Sequence, residues 1–384
     1  MNKGDAAMQI SAYRSLRAVV PEAEITIHTP FPEIDRQTYS NYRLFGSCRR
    51  RAIQAMFLLL RAMLWSSFRK LGAAGPKWLL AHPELQEYQR ADVIVDLSGD
   101  TITQDYGLRC LISHLIPVLI AAFLERPVVL CAQTIGPFGI TKPLAKFALN
   151  RVTLITAREE LSLNELRGLG VDKPRVHLTA DIAFLLEPAP AQRIDEIIAA
   201  EGIGGTGRLL VGFTPSRLLG HRFGAGDDGK LERVMAALAD YLIEQKGATV
   251  VLLSHVLGPG EERDDRGMAR GISSLVKHRT GVRVVMGDYR PEELKGLIGR
   301  FHLFLSLRMH ASIAALSLCV PTIAIAYSRK AHGIMKMLGQ DPWVCDLAAL
   351  TPDNVRVRLE ALWAEREAVR AQLATRVEAV KAQA

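Results

Sequence analysis

At 384 residues the chain is long for one hydrophobic core, and 49% hydrophobic with 23% charged residues is the balance of a folded globular protein. Five cysteines, at 48, 110, 131, 319 and 345, are odd in number and never form a C-x-x-C pair. That pattern argues against a disulfide framework or structural zinc and for reduced thiols in the cytoplasm. The formal net charge is +8, and the excess is local.

The polar start, MNKGDAAMQ, lacks the apolar centre of a secretory signal, and the longest apolar run, 110–124, is short for a bilayer span. A cytoplasmic protein, soluble or peripheral at the inner membrane face, is therefore expected. Helical spacing covers 7–19 and a short strand 24–28. No strand precedes the loop-then-helix text Asn2-Lys3-Gly4-Asp5, where a doubly wound domain ordinarily begins with one. Between Asp35 and Glu84 there is no acidic residue, while Arg36, Arg43, Arg49, Arg50, Arg51, Arg61, Arg69, Lys70 and Lys77 fall inside, interleaved with the apolar text AIQAMFLLLRAMLW at 52–65. This basic apolar stretch, 43–70, suits contact with anionic headgroups or a polyanion; the plain alternative is a helix with its apolar side in the core and its arginines in water.

Strands follow at 92–97, 127–132, 152–156 and 175–179, alternating with helices at 45–70, 107–124, 141–150 and 159–169. Continuous apolar strands between helices indicate a mainly parallel sheet covered on both faces. EPAPAQ at 187–192 and EGIGGTGR at 201–208 bracket a short helix and mark the domain junction. A second alternation places strands near 209–214, 248–254, 282–286, 302–307 and 322–327, with helices near 229–246, 265–278, 291–299, 309–318 and 329–338. The expected fold is α/β: two Rossmann-like domains, 1–190 and 205–345, facing across a cleft, and a C-terminal helix within 350–384.

The chemistry concentrates where strands end. Arg308 and His310 close the strand 302–307 and open a helix; Lys330 follows the next strand, after Tyr327. Parallel strands joined through a helix send their carboxyl ends to one rim, so two fixed cations and one imidazole should converge there. An arginine fork matches phosphate or carboxylate, and an anion nearby favours the protonated imidazole as a general acid. Read singly, each has a plainer role: a capping arginine, a satisfied core histidine, a first-turn lysine. His255 ends the strand 248–254 and reaches the same rim, and Arg217 follows the strand 209–214 beside Ser216. In the first domain Arg158 ends the strand 152–156, with an ion pair to Glu159 or Glu160 as its alternative role. Asp100 and Asp105 sit in the loop LSGDTITQDYG, 97–107, and can hold sugar hydroxyls or act as a base; Asp181 is an isolated acid able to orient a group in the cleft.

No G-x-x-x-x-G-K-[ST] loop, no G-x-G-x-x-G after a strand, no H-E-x-x-H and no G-x-S-x-G elbow occurs, which disfavours nucleotide hydrolysis, dinucleotide chemistry, zinc proteolysis and serine hydrolysis. Aromatic interleaving is thin in the basic stretch, so nucleic acid is not an expected partner.

Taken in order, NKGDAAM at 2–8, LSGDTITQDYG at 97–107, QTIGPFG at 133–139, AREELSLNELRGLG at 157–170, ADIAFLL at 180–186, LSH at 253–255 and SLRMHASIAALSLCVPTIAIAYSRKAHGIMKMLG at 306–339 resemble the polysaccharide pyruvyl transferase family. The resemblance implies a fold like that of the B-type glycosyltransferases and transfer of a pyruvyl group from phosphoenolpyruvate to a sugar hydroxyl of an exopolysaccharide or its lipid-linked precursor, with release of phosphate. It makes His310 the acid that protonates the methylene carbon and gives Arg158, Arg308, Lys330 and Arg217 the phosphate and carboxylate. Phosphoenolpyruvate is then a donor substrate, with no cofactor and no metal. The chain departs from the family in lacking the strand before N-x-G-D and in reading SGD where a second glycine is common. A nucleotide-sugar glycosyltransferase of similar fold and a non-catalytic membrane-associated assembly factor are the alternative readings.

Overall fold

The structure, a computed structural model, describes every residue except Met1, Ser40, 205–206, 224–228, Pro259, 261–263 and Ser328. The chain divides into two units, one made of Met1–Ala12 with Ile182–Ala384 and the other of Tyr13–Asp181. The expectation that residues 1–190 form one domain is corrected at both ends: the first twelve residues pack with the C-terminal unit, and so do the residues from Ile182 onward.

Helix α1 (Lys3–Val19) starts in the C-terminal unit and leads into the other. There β1 (Thr26–Thr29), α2 (Pro32–Thr38) and β2 (Arg43–Gly46) precede α3 (Ala52–Lys70) and α4 (Pro83–Arg90). Then β3 (Ile94–Asp96), α5 (Leu108–Phe123), β4 (Val128–Gln133), α6 (Lys142–Leu149), β5 (Leu154–Ala157), α7 (Glu160–Leu169) and β6 (Arg175–Leu178) alternate. Strands β3 to β6 form a four-stranded parallel sheet in sequence order. β1 does not join it; it pairs in parallel with β2, a strand the helical reading of 45–70 left out, in a separate two-stranded sheet. The core of this unit is set by α3, α5 and the sheet, with Leu58, Ala62, Leu111, Leu115, Leu130 and Ile155 nearly inaccessible.

The second unit continues with α8 (Ala191–Ala200), β7 (Leu210–Thr214), α9 (Arg217–Phe223), α10 (Lys230–Lys246), β8 (Thr249–Leu252), α11 (Asp265–Leu275), β9 (Val282–Val284) and α12 (Pro291–Ile298). It ends with β10 (Leu303–Ser306), α13 (Met309–Leu316), β11 (Thr322–Ala326), α14 (Arg329–Met337), β12 (Val344–Asp346) and α15 (Pro352–Gln383). All six strands are parallel, in the order β9-β8-β7-β10-β11-β12. Every residue of β8, β10 and β11 is buried, which is why these strands read as unbroken apolar runs. The chain winds outward from β7 in one direction and from β10 in the other, so a topological switch point lies between β7 and β10.

Gly212 in the middle of β7 is fixed by close approach. A methyl group there would overlap the rings of Phe301 and Phe304, which stack with centroids 6.0 Å apart. Gly212→Ala should therefore lower stability by about 1–3 kcal/mol, the cost of overpacking a filled core, read as a fall in the thermal unfolding midpoint.

Candidate functional site

The carboxyl ends of β7, β8, β10 and β11 meet on one rim of the six-stranded sheet, because Ser306 of β10 lies opposite Thr214 of β7 on one side and Ala324 of β11 on the other. That register brings together Ser216 and Arg217 after β7, His255 after β8, Arg308 and His310 after β10, and Lys330 after β11. The Ser306 hydroxyl starts the turn out of β10 by donating to the Arg308 carbonyl at 2.7 Å and accepting the Arg308 N–H at 3.1 Å. Arg308 keeps extended backbone as the N-cap of α13, and His310 falls in the helix's first turn.

Arg308 is not the open anion clamp expected of it. Its fork is taken by Asp265, with Nε at 3.1 Å from one carboxylate oxygen and Nη2 at 2.6 Å from the other. Asp265 also accepts the backbone N–H groups of Arg217 and Val256, each at 3.0 Å. Its side chain is fully buried, and burial pushes its carboxyl above the ordinary range against the pull of Arg308. One carboxylate thus pins three rim loops, those after β7, β8 and β10. Sequence reading missed Asp265; the only signal was an acid at the start of an amphipathic helix, the ordinary mark of a cap.

The amino-terminal segment completes the rim. Asn2 bridges Val256, and the Lys3 N–H donates to the His255 carbonyl at 3.0 Å. The Asn2 side chain caps α1 by accepting the Gly4 N–H at 3.0 Å. Gly4 lies against His310 so closely that any Cβ at this position would overlap the imidazole. The N-x-G-D text is therefore seated against the loop that leaves β8 and against His310. Lys3 is buried and reaches the exposed Asp288 carboxylate at 2.5 Å.

Electrostatics separates the remaining groups. Burial first, then the charges of His310, Arg308 and Lys3, hold the His255 imidazole down at about 3, so it is neutral at physiological pH. Burial lowers the Lys330 ammonium to about 8, with the exposed Asp5 carboxylate opposing the shift, and its Nζ sits 5.1 Å from the Tyr327 ring centre. Buried polar atoms collect here too. Thr214 Oγ1 at the end of β7, Ser216 Oγ and Arg217 Nε just after it, and Ser254 Oγ and His255 Nδ1 beyond β8, make no hydrogen bond among the described residues. Uncompensated burial of each is unfavourable by roughly 1–3 kcal/mol, so these atoms at the carboxyl ends of β7 and β8 mark a place for a polar ligand.

The candidates of the other unit look different. Arg158 is fully buried, not a cation open at the rim: Nη1 meets Asp181 at 2.5 Å and Nε donates to Thr134 Oγ1 at 2.8 Å. Its carboxylate partner is mainly Asp181 rather than Glu159, which stands 4.0 Å away. Asp100 accepts the Tyr106 hydroxyl at 2.6 Å, and the exposed Asp105 donates its backbone N–H to Thr103 Oγ1 at 3.1 Å.

A two-unit α/β chain with parallel sheets is the architecture of the B-type glycosyltransferase and sugar epimerase folds. The likeness spans the chain. The UDP-GlcNAc 2-epimerase from Neisseria meningitidis bound to UDP-GlcNAc superposes with a TM-score of 0.62 at 12% identity, covering 97% of this chain and 92% of that one. Alr3699/HepE from Anabaena in complex with UDP-glucose gives 0.56 at 12% identity, covering 100% and 91%. The polysaccharide pyruvyl transferase family model matches residues 2–329, and the chain belongs to that family of transferases. A curated relative, the amylovoran biosynthesis protein AmsJ of Erwinia amylovora, is 26% identical over 403 residues, covering 98% of this chain and 93% of the relative.

Replacing Asp265 by Asn keeps the shape but leaves the Arg308 guanidinium without its counter-ion. The variant should lose about 3 kcal/mol, as for removal of one partner of a buried pair, seen as a lowered unfolding midpoint. An unchanged midpoint would show that Asp265 does not hold the rim.

Proposed function

We propose that the protein transfers the pyruvyl group of phosphoenolpyruvate to hydroxyls of a sugar in an exopolysaccharide, or in its lipid-linked precursor, and releases phosphate. The observation that carries this reading is the switch-point rim, where Lys3, Lys330 and His310 stand among buried hydrogen-bonding groups in a chain of the pyruvyl transferase family. Phosphoenolpyruvate carries about three negative charges near neutral pH. Lys3 and Lys330 are suited to it because the carboxylates that oppose them, Asp288 and Asp5, are exposed and already stabilised by water. Arg308, fixed by Asp265, supplies a rigid positive wall, and Ser216, Ser254 and the neutral His255 supply hydrogen bonds.

His310, held by Gly4 on one side, delivers a proton to the methylene carbon. The C2 centre becomes oxocarbenium-like, a sugar hydroxyl adds to it, and the C2–O bond to phosphate breaks. A second hydroxyl of the same sugar closes the ketal. Of the two hydroxyl protons, one restores His310 and the other leaves with phosphate, so the balance is diol plus phosphoenolpyruvate to ketal plus phosphate. Positive charge around the rim favours departure of phosphate over the ground state. Asp100 and Asp105 are the proposed hydroxyl-binding groups of the acceptor side. Arg158 is assigned to holding its loop through Asp181, and Arg217 to the anion through its buried Nε.

The test is acceptor-dependent release of phosphate from phosphoenolpyruvate over a panel of lipid-linked saccharides. His310→Ala should lower turnover by roughly two to four orders of magnitude while phosphoenolpyruvate still binds. Wild-type turnover in that variant removes His310 from the chemistry, and binding of a nucleotide sugar in place of phosphoenolpyruvate overturns the donor assignment.

Lys330 sets a pH limb. Its folded value of about 8 lies below the ordinary lysine range, so the free enzyme loses this cation as pH rises through about 8, and kcat/KM for phosphoenolpyruvate should fall there. Lys330→Arg, permanently charged, should abolish that limb; a limb that persists in the arginine variant belongs to another group.

A further inference from the structure

We propose that the outer face of α3 is a docking surface for an anionic lipid bilayer. The helix is apolar on two opposite sides. One side, with Ala55, Leu58, Leu59 and Ala62, is buried and packs on α5. On the other, Ile53, Phe57, Leu60 and Leu64 are 90%, 56%, 50% and 41% exposed, and Phe68 and Leu71 continue the line at 37% and 81%. Steps of four, three, four, four and three residues keep these six side chains on one stripe of the helix surface. The plain reading, with the apolar side inward and only charge outward, accounts for the first side and leaves the second in water.

Charge identifies the occupant. No acidic residue occurs from 36 to 83. Arg51 and Lys70 are exposed at the two ends of the stripe and Lys77 is exposed in the turn that packs on the helix, while Arg69 is partly offset by Glu125 at 3.8 Å. Trp78 is 58% exposed, with the Arg61 guanidinium 5.8 Å from its ring centre and bonded to the carbonyls of Trp78 and Leu79. An aliphatic stripe, an interfacial tryptophan and flanking cations form the pattern of a helix lying in the plane of an anionic membrane surface. A second copy of the same face would bring like charges together, and a nucleic acid would leave the aliphatic stripe unmatched. Among the described residues no helix is long and apolar enough to cross a membrane.

This inference does not depend on the reaction and is tested without it. The full chain is sedimented with vesicles of phosphatidylcholine alone and of phosphatidylcholine mixed with phosphatidylglycerol. Binding to the mixed vesicles is expected, weakening as salt is raised. The triple variant Phe57→Ser, Leu60→Ser, Leu64→Ser should bind them at least roughly tenfold more weakly, because three large apolar contacts with lipid are lost. Lys70→Gln and Lys77→Gln should each cost about fivefold. All these side chains are exposed, so an unchanged unfolding midpoint confirms that each variant is folded. Equal binding to both vesicle types, no binding to either, or wild-type self-association abolished by the triple variant would each overturn the assignment, the last giving the face to a second copy.

Discussion

The site depends on a buried carboxylate among the loops that leave three neighbouring parallel strands. Asp265 meets both nitrogens of the Arg308 fork and two backbone N–H groups, so the loops leaving β7, β8 and β10 are tied to one point. The switch point opens a crevice, and Asp265 keeps its walls from separating. It also answers an electrostatic difficulty. Lys3, Arg308 and Lys330 share this rim with two imidazoles, and such a group would repel itself in a poorly solvated place. Each cation therefore has a carboxylate, but of graded strength: a bidentate, fully buried one for Arg308, and exposed ones for Lys3 and Lys330. The most firmly paired cation is structural, and the two with exposed counter-ions suit an incoming anion.

The first residues belong to the same constraint. Once Asn2 pairs with Val256 and Lys3 with the His255 carbonyl, Gly4 has to pass over His310, and only a residue without Cβ fits. The start of the chain is thus a wall of the site made by the far half of the sequence. The helix it begins then leads into the other unit, whose α3 presents apolar side chains both to its core and to water.

Much of the architecture was legible because buried parallel strands leave continuous apolar runs such as LFLS and TIAIA, and helices between them keep a separate period. The short strands β2 and β12 escaped notice: four residues or fewer, with Arg43 in one and Asp346 in the other, carry little pattern. At the site, Arg308, His310, Lys330 and His255 were legible because a parallel sheet places strand ends on one rim. Arg158 misled because the sequence gives the end of a strand without saying whether an acid such as Asp181 waits beside it.

Local patterning, then, determined the strands, the helices and the rim to which the cations go, since these follow from residue order and period alone. The tertiary structure decided which carboxylate answers which cation, that residues 2–4 pack on the rim of the far sheet, and that α3 keeps a second apolar face outside. Those are contacts between residues tens to hundreds of positions apart, or between a helix and whatever covers it. Period and composition are blind to both.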